Sequence, residues 1–312
     1  MRGKLGPILS GIGGFLLVVG VMLSVYAYPK LAVAPIDQNS TSKLSGSDAT
    51  VFDIGTLSEI NTDLTTTALT VGQIEDTKEQ DDNVRIWVNT TSTKSADGVV
   101  RSRSVERVAF DDFSGEALDC CGAYSETTQG QPEEIKFEGQ VFKFPFQTKQ
   151  ETYQWWDSTL RRAEPAEFVE EAELEGLKVY VFKQTIEPEV WTQMEVPPSV
   201  VGEEGEESVV ADRAYGNTRT FWVEPETGVV IKRQEEQSAT LQIDGEDRAT
   251  LTSVTTSYTD ETVKANVDEY GPKASQLKLV RSTLPWVLGV GGAVLALLGL
   301  VLGRRGKKAA KA

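Results

Sequence analysis

The stretch FWVEPETGVVIKRQEE, Phe221 to Glu236, sets two runs of alternating apolar and polar residues around the acidic turn Glu-Pro-Glu-Thr-Gly. Alternation with a period of two indicates half-buried strands, and the Pro/Gly-containing turn predicts a hairpin between them. Similar short runs recur along the middle of the chain, at Val84–Val88, Val99–Phe110, Ile135–Phe146, Leu177–Ile186, Thr240–Ile243 and Thr250–Tyr258. Strands that recur with tight turns predict a mainly antiparallel β fold, built as a meandering sheet.

The two ends of the chain are different in character. Gly6 to Tyr28 and Leu284 to Leu302 carry no charge, and each is long enough to cross roughly 30 Å of hydrocarbon. Basic residues flank both segments on the side away from the middle of the chain, which predicts cytoplasmic termini and an extracytoplasmic middle. The alternative for the first segment is a cleaved signal peptide, because Val25-Tyr26-Ala27 resembles a cleavage site. Its apolar run is longer than the roughly 7–15 residues of a usual signal core.

The predicted organisation is therefore a β-rich α+β extracytoplasmic domain between two transmembrane helices in the plasma membrane. The predicted segments are a cytoplasmic N-terminus (1–5), a first span (6–28), the extracytoplasmic domain (29–283), a second span (284–302) and a basic cytoplasmic tail (303–312). Both spans contain small-residue steps, Gly11–Gly14 and Gly289–Gly292, which favour close helix packing within the chain or with another membrane protein.

The charge of the chain is strongly negative. There are 31 Lys and Arg against 47 Asp and Glu, and seven of the basic residues lie in the two cytoplasmic ends. The extracytoplasmic part thus holds 24 basic residues and a net charge of −23. Such a field repels nucleic acid, and it suits either simple solubility or the attraction of cations and basic partners.

Three segments depart from the strand pattern. Thr152–Arg162 predicts a short helix or an aromatic-rich loop, Thr259–Leu284 has helical spacing, and the Pro/Gly/Glu-rich Val196–Val209 predicts a loop. There is also an internal echo, because Arg107–Ala117 can be laid beside Thr220–Val230 with an acidic turn ending in Ser/Thr-Gly in both. It indicates either two related half-sheets packed together or the ordinary likeness of any two hairpins.

Several classes of chemistry are excluded by composition. The chain has no histidine, which removes Ser-His-Asp and Cys-His nucleophilic sites and histidine-ligated zinc. It has neither a phosphate-binding Gly-Lys-Ser/Thr loop nor EF-hand spacing. Carboxylate pairs are the remaining catalytic option, and nothing singles one out. We therefore predict a protein that is not an enzyme, with no catalytic residues, metal or cofactor.

The only two cysteines, Cys120 and Cys121, are adjacent in Asp119-Cys120-Cys121-Gly122. Extracytoplasmic thiols tend to oxidise, which makes a vicinal disulfide one candidate. A free or partner-linked pair and a soft-metal or redox site are the alternatives.

Aromatic residues cluster in the second half of the predicted domain. Alternation gives the strands that carry them one apolar face, which either packs as an ordinary core or lines a groove for acyl chains. The candidate lipid-binding residues are Phe142, Phe144, Phe146, Tyr180, Phe182 and Trp222.

Two resemblances add to this picture. The hairpin Trp222–Arg233 resembles one found in bacterial lipoprotein-carrier-like periplasmic lipid-binding domains, which are curved antiparallel sheets. Motifs along nearly the whole chain are similar to those of the actinobacterial DUF3068 family, also known as the porin PorA family. They are Lys4–Pro7, Tyr28–Leu31, Asp119–Gly122, Phe142–Phe146, Trp156–Leu160, Asn217–Val223 and Tyr258–Val263. This resemblance implies an actinobacterial cell-envelope protein with two membrane helices and a connection to envelope lipids and lipoglycans.

The sequence thus favours a non-enzymatic envelope factor that binds or helps traffic a lipid or lipid-linked glycan. The alternative is a scaffolding module that recruits envelope proteins through its acidic surface and its helices. A porin-type pore is a third and less favoured hypothesis, because a transmembrane barrel needs apolar outward faces.

Overall fold

The computed structural model describes residues 5–309, and the side chains of residues 5–304. The chain divides into two compact units. One is helical and combines the residues up to Val33 with those from Gly271 onward, and the other is the sheet unit Ala34–Tyr270.

The sheet unit confirms the predicted mainly antiparallel β class. Its strands are β1 (Asn39–Asp53), β2 (Ser58–Gly72), β3 (Val84–Ser95), β4 (Val100–Asp111), β5 (Ala117–Leu118), β6 (Tyr124–Thr128), β7 (Gln131–Glu134), β8 (Tyr153–Asp157), β9 (Arg162–Leu174), β10 (Leu177–Val196), β11 (Val209–Val223), β12 (Val230–Ile243) and β13 (Glu246–Tyr258). All belong to one sheet in the order β7-β6-β4-β3-β2-β1-β13-β12-β11-β10-β9-β8, with β5 paired to β4. The hairpin Phe221–Glu236 is the β11–β12 pair at the centre of this path.

The sheet curls until its two sides meet at Gln140. This residue bridges Glu116, next to β5, and Trp155 of β8. The backbone N–H of Gln140 donates to the carbonyl of Gln154 at 2.7 Å, and the N–H of Trp156 donates back to Gln140 at 2.9 Å. Two residues outside the strands, Gly139 and Gln140, therefore close the sheet into a ring.

The segment around Gln140 corrects the prediction of a strand over Ile135–Phe146. Residues 139–148, here called the crossing segment, are irregular and carry only the bridges at Gln140. Their backbone groups bond to turns, since Phe144 N–H donates to the carbonyl of Gly228 at 2.8 Å and Phe146 N–H to that of Phe113 at 3.0 Å. Phe142 and Phe144 direct their rings into two separate aromatic clusters, Phe146 packs on Phe113, and the segment does not run along a neighbouring strand.

The turn after β4 is organised by Asp111. Its carboxylate accepts the N–H groups of Phe113 at 3.1 Å and Ser114 at 2.8 Å. Its backbone carbonyl accepts the N–H of Gly115 at 2.9 Å, and its own N–H donates to Glu116 at 2.9 Å. An acidic side chain that caps its own turn in this way fixes the loop without needing a longer connection.

The turn between β11 and β12 is built in the same way around Glu224. Its carboxylate accepts the N–H groups of Glu226 at 3.0 Å and Thr227 at 2.8 Å. Gly228 N–H donates to the carbonyl of Glu224 at 2.9 Å, and Glu224 N–H donates to Val229 at 3.0 Å. The internal echo in the sequence therefore marks two equivalent turns, and the crossing segment is hydrogen-bonded to both.

Two other segments differ from their sequence patterns or extend them. Thr152–Arg162 is neither a helix nor a loop, because β8 pairs with β9 and buries Trp155 and Trp156. The loop between β10 and β11 holds a 3₁₀ turn at Pro198–Val200, and its Val200 and Val201 are buried against strand residues.

The remaining elements are helical. They are α1 (Leu5–Met22), a π-helical turn (Leu23–Ala27), α2 (Tyr28–Leu31), α3 (Ile74–Lys78), α4 (Asp260–Lys278), a second π-helical turn (Leu279–Thr283) and α5 (Leu284–Ala309). The elements from α1 to α2 join into one helix, Leu5–Leu31, and α4, the second π-helical turn and α5 join into another, Asp260–Arg304. Both are long and apolar enough to cross a membrane. The second helix begins well before the predicted span 284–302 because the helical pattern from Thr259 continues into it.

In the helical unit, α1 and α5 pack through glycines. A Cβ on Gly13 would lie 2.5 Å from the backbone of Gly292 and Ala296, and one on Gly292 would lie 2.6 Å from the carbonyl of Gly13. At Gly11 and Gly14 a Cβ would meet nothing within 4 Å. Of the predicted small-residue steps, Gly13 and Gly292 therefore form the contact between these two helices.

Candidate ligand-binding cavity

The curled sheet encloses a cavity of about 750 Å³. Its lining comes from β1 to β4, β8 and β11 to β13, together with the loops that flank them. Because successive side chains on a strand point to opposite faces, every second residue of these strands faces the cavity.

The wall on β2, β3 and β4 is rich in hydroxyl and amide groups. The hydroxyl groups of Thr66 and Thr93 are 2.8 Å apart, and Asn89 Nδ2 donates to the Thr70 hydroxyl at 2.8 Å. Thr91 in turn donates to Asn89 Oδ1 at 2.8 Å. These bonds hold the polar groups in a fixed array, and the face they present is not one that favours hydrocarbon.

A buried ionic cluster lies beside this wall. Arg219 Nη2 is 2.8 Å from Asp157 Oδ2, and Arg219 Nε is 3.3 Å from Glu235 Oε2. Glu235 Oε1 also forms an ion pair with Arg233 Nε at 3.0 Å, and the Tyr215 hydroxyl donates to Asp157 at 3.0 Å. The Asp157 side chain is fully buried. Charges withdrawn from water in this way are tolerated only when they are paired and hydrogen-bonded.

The electrostatics of the cluster follow from this pairing. Burial by itself raises the pKa of Glu235, but Arg219 and Arg233 outweigh it and hold that pKa at about 2. Burial lowers the pKa of Arg219, but the nearby Glu235 and Asp157 carboxylates outweigh burial, so the pKa is raised above its ordinary value. Burial raises the pKa of Tyr215 to about 12. The Glu235 carboxylate and the Arg219 guanidinium therefore stay ionised, beside a neutral Tyr215 phenol.

Glu106 is the one carboxyl of the cavity lining without an ion-pair partner among the described residues. Burial raises its pKa, and hydrogen bonds with Ser158 and Trp156 only partly oppose this shift. A neutral carboxyl group here can donate one hydrogen bond as well as accept others.

The end of the cavity at the β1–β2 and β3–β4 turns has a different lining. Ile54, Val99 and Val100 line it and are 83%, 47% and 52% exposed. Arg101 Nη1 and Asp53 Oδ2 meet here at 2.6 Å although β4 and β1 are three strand spacings apart, about 14 Å along the sheet. The ion pair therefore spans the interior of the curled sheet, beside an opening with apolar sides.

At the opposite end the interior is filled by aromatic rings. Phe144 stacks on Phe182 with a centroid distance of 4.6 Å and on Trp155 at 5.0 Å, and Trp155 lies 4.6 Å from Phe221. Phe144, Phe182 and Phe221 have no exposed surface. This cluster is packed core.

The candidate lipid-binding residues are consequently distributed among several environments. Phe142 lines the cavity, and Phe144 and Phe182 lie in the aromatic cluster, with Tyr180 packed against it. Phe146 stacks on Phe113 at 5.8 Å outside that cluster. Trp222 packs on the other face of the sheet, against Val179, Ile231 and Val263. The structure thus brings one of the six to the cavity wall.

The cysteines lie away from the cavity. Cys120 and Cys121 are joined by a disulfide, and Cys121 adopts a left-handed backbone conformation with φ of 67°. Arg107 donates to the carbonyls of Cys121 and Gly122, both at 3.1 Å. No cluster of three or more Cys, Asp or Glu side chains suited to a metal ion occurs within the described residues.

Sequence reasoning missed the ionic cluster, although one part of it was accessible. A hairpin centred on the turn 224–228 would place Arg219 opposite Arg233, and a bulge between Trp222 and Val223 shifts the observed register so that Arg219 lies opposite Glu235. Both residues have the same parity as the apolar Phe221, so they are charges on the inner face. Asp157 and Glu106 come from distant strands, and no local pattern connects them to this pair.

Comparison with known proteins finds one matching family model and two relatives from Corynebacterium. The family model described as Porin PorA matches residues 5–301. A protein named Porin PorA from Corynebacterium amycolatum is 23% identical over an alignment 381 positions long, which covers 96% of this chain and 98% of that protein. Another of the same name from Corynebacterium resistens is 25% identical over 235 positions, with 55% of this chain and 57% of that protein covered.

Proposed function

This chain belongs to the porin PorA family, and from that premise we propose that it is a membrane-anchored, non-enzymatic cell-envelope factor. In this proposal its β domain binds a lipid or lipid-linked glycan and helps to pass it outward. The observation that carries the proposal is the cavity of about 750 Å³ inside the sheet unit. Its volume falls within the range of roughly 300–1,000 Å³ that is usual for small-molecule sites.

The proposed location is the plasma membrane, crossed twice, with both termini in the cytoplasm and the sheet unit outside. Two apolar helices and the basic residues beyond them support this topology. Within the sheet unit, β1 leads from near the chain entry at Ala34 to the turn at the cavity mouth. Fifteen strand residues cover about 50 Å, so the mouth and the chain entry lie at opposite ends of this unit.

Native mass spectrometry of the full chain, taken from actinobacterial membranes in mild detergent, tests the proposal. We expect an envelope amphiphile to remain bound to the natural chain and to be lost from Ala68→Trp, because Ala68 lines the cavity. Leu69→Trp is the matched control, since Leu69 is exposed on the other face of the same strand. Repeated absence of an amphiphile from the natural chain, or equal amounts in Ala68→Trp, would refute the proposal.

Pore formation is the second candidate, and the observation in its favour is that both relatives are named porins. The outer face of β9 argues against strands in contact with hydrocarbon, because Glu167 and Glu170 are exposed there. A passage through the curled sheet would also have to cross the aromatic cluster. Planar bilayers containing the purified full chain decide between the two: reproducible conductance steps would favour the pore, and their absence the binding function.

A further inference from the structure

We infer that the cavity takes its ligand head first. In this inference a neutral, hydroxyl-rich head group fills the polar interior, and the first part of its hydrocarbon chain lies on the apolar mouth at Ile54, Val99 and Val100. The inference rests on the proposed binding function and specifies which part of an amphiphile the cavity recognises. This orientation is the reverse of the one expected from the sequence, in which the acyl chain of the ligand enters an aromatic groove.

The neutrality of the head group follows from the charges of the lining. Arg101, Arg219 and Arg233 are the arginines that line the cavity, and each is already paired with a carboxylate. No lysine occurs among the described lining residues. A phosphate or sulfate would therefore have to displace a carboxylate from its arginine, and at Arg219 and Arg233 this leaves a buried carboxylate unpaired. A cationic head group would likewise have to take a carboxylate from its arginine.

The hydroxyl-rich character follows from the wall. Threonine, serine and asparagine groups on β2, β3 and β4 offer donors and acceptors at short intervals, and Glu106 adds a further polar group beside them. A sugar-like head group presents hydroxyls that both donate and accept, so it can satisfy this wall. An alkyl chain in the same place would leave the donor and acceptor positions that these groups do not use among themselves unfilled once water is displaced.

The orientation follows from the position of the apolar residues. Ile54, Val99 and Val100 both line the cavity and remain exposed, so they form a continuous surface from its interior to solvent. The opposite end is filled by the aromatic cluster, which leaves no comparable apolar exit. Among the described lining residues these three are the exposed large apolar ones, so a bound amphiphile extends its chain past this mouth.

Saturation-transfer difference NMR on the full chain, in nanodiscs of deuterated phosphatidylcholine, distinguishes the two orientations. The probes are octyl maltoside, octyl phosphate and maltose, with empty nanodiscs as the background. We expect the ring protons and the first methylenes of octyl maltoside to receive the most saturation and its terminal methyl the least. We expect octyl phosphate to show no transfer above background. Strongest transfer to the terminal methyl, equal binding of octyl phosphate, or no binding of octyl maltoside would each overturn the inference.

Variants locate the binding within the cavity. Thr91→Val and Thr93→Val each remove a wall hydroxyl at nearly constant shape, and we expect each to weaken octyl maltoside binding three- to tenfold. Thr90→Val, on the other face of β3, is the matched control and should leave affinity unchanged. Val100→Asp should weaken octyl maltoside but not maltose, whereas Leu69→Asp should weaken neither. Unchanged affinity in all the cavity variants would contradict the inference.

The two proposals can fail separately. If an envelope amphiphile co-purifies with the chain while octyl maltoside binds through its terminal methyl, the head-first inference is wrong and the binding function stands. If nothing co-purifies and no probe binds, the binding function is wrong as well.

Discussion

Replacement of Arg219 by methionine is expected to destabilise the sheet unit more than any other removal of a single arginine from its surface or interior. Methionine has a similar length and no charge. Asp157 would lose the only cationic partner it has among the described residues, and Glu235 would keep only Arg233 of its partners there. Removing one member of a buried ion pair typically costs 3–5 kcal/mol. Since the Asp157 side chain is fully buried, we expect a value of about 4 kcal/mol.

Arg162→Met provides the matched control. Arg162 also pairs with two carboxylates, Glu164 and Glu189, but its side chain is 48% exposed. Exposed pairs of this kind contribute about 0–1 kcal/mol, so the control should unfold almost like the natural chain. The comparison therefore isolates burial, because the residue type and the number of partners are the same.

The assay is urea unfolding of the full chain in nanodiscs, followed by the near-UV circular dichroism of the tryptophans. A second variant, Arg219→Met with Asp157→Asn, should recover part of the loss because it removes the unpaired charge. The reasoning is refuted if Arg219→Met and Arg162→Met lose equal stability. It is also refuted if the added Asp157→Asn substitution makes Arg219→Met worse.

Three further predictions test other parts of the structure. Gly13→Leu should separate α1 from α5, because a Cβ at this position would lie 2.5 Å from the backbone of α5. Gly14→Leu is the control, since a Cβ there meets nothing within 4 Å. Disulfide crosslinking between cysteines placed on the two helices measures the difference, and equal crosslinking in both variants would contradict the prediction. Gly228→Ala should cost more unfolding free energy than Gly130→Ala. Both glycines have positive φ, but only at Gly228 would a Cβ collide with the carbonyl of Phe144, so equal losses in urea would show that the crossing segment yields. The pKa of Glu235 is held at about 2 in the folded chain and is 4.5 in the unfolded chain. Its contribution of about 3 kcal/mol to stability is therefore present above pH 4.5 and is lost as the pH falls toward 2. Glu235→Gln should make stability less dependent on pH in this range, and an unchanged pH dependence would contradict the prediction.

Local patterns allowed much of the sheet to be predicted. The hairpin Phe221–Glu236 was recognisable because its alternation, its turn and its register are all contained in sixteen consecutive residues. The apolar spans were recognisable for the same reason. Ile135–Phe146 was misjudged because Phe142 and Phe144 enter two separate clusters and Phe146 packs elsewhere, and only the tertiary structure distinguishes this from a strand.

The candidate site was harder to predict from the sequence than the sheet was. The cavity wall on β2 and β3 consists mainly of threonine, serine and asparagine, so the inner face carries no apolar signal that would separate it from the outer face. The aromatic residues attracted attention because they are usually important for binding, yet most of them fill the closed end. Of the buried charges, Arg219 and Glu235 could be placed on one face of the hairpin by their parity, while their exact pairing depends on a bulge and the positions of Asp157 and Glu106 depend on closure of the sheet.

The closure at Gln140 has a mechanical consequence. Every other junction along the path from β4 round to β8 is a ladder of paired strands, whereas β5 and β8 are joined through the backbone of two residues, Gly139 and Gln140. We expect that, if the curled sheet widens, it opens at this junction while the strand ladders stay intact. The width of the cavity is therefore limited by the bridges at Gln140, and we expect a ligand wider than the cavity to separate these bridges before any strand ladder opens.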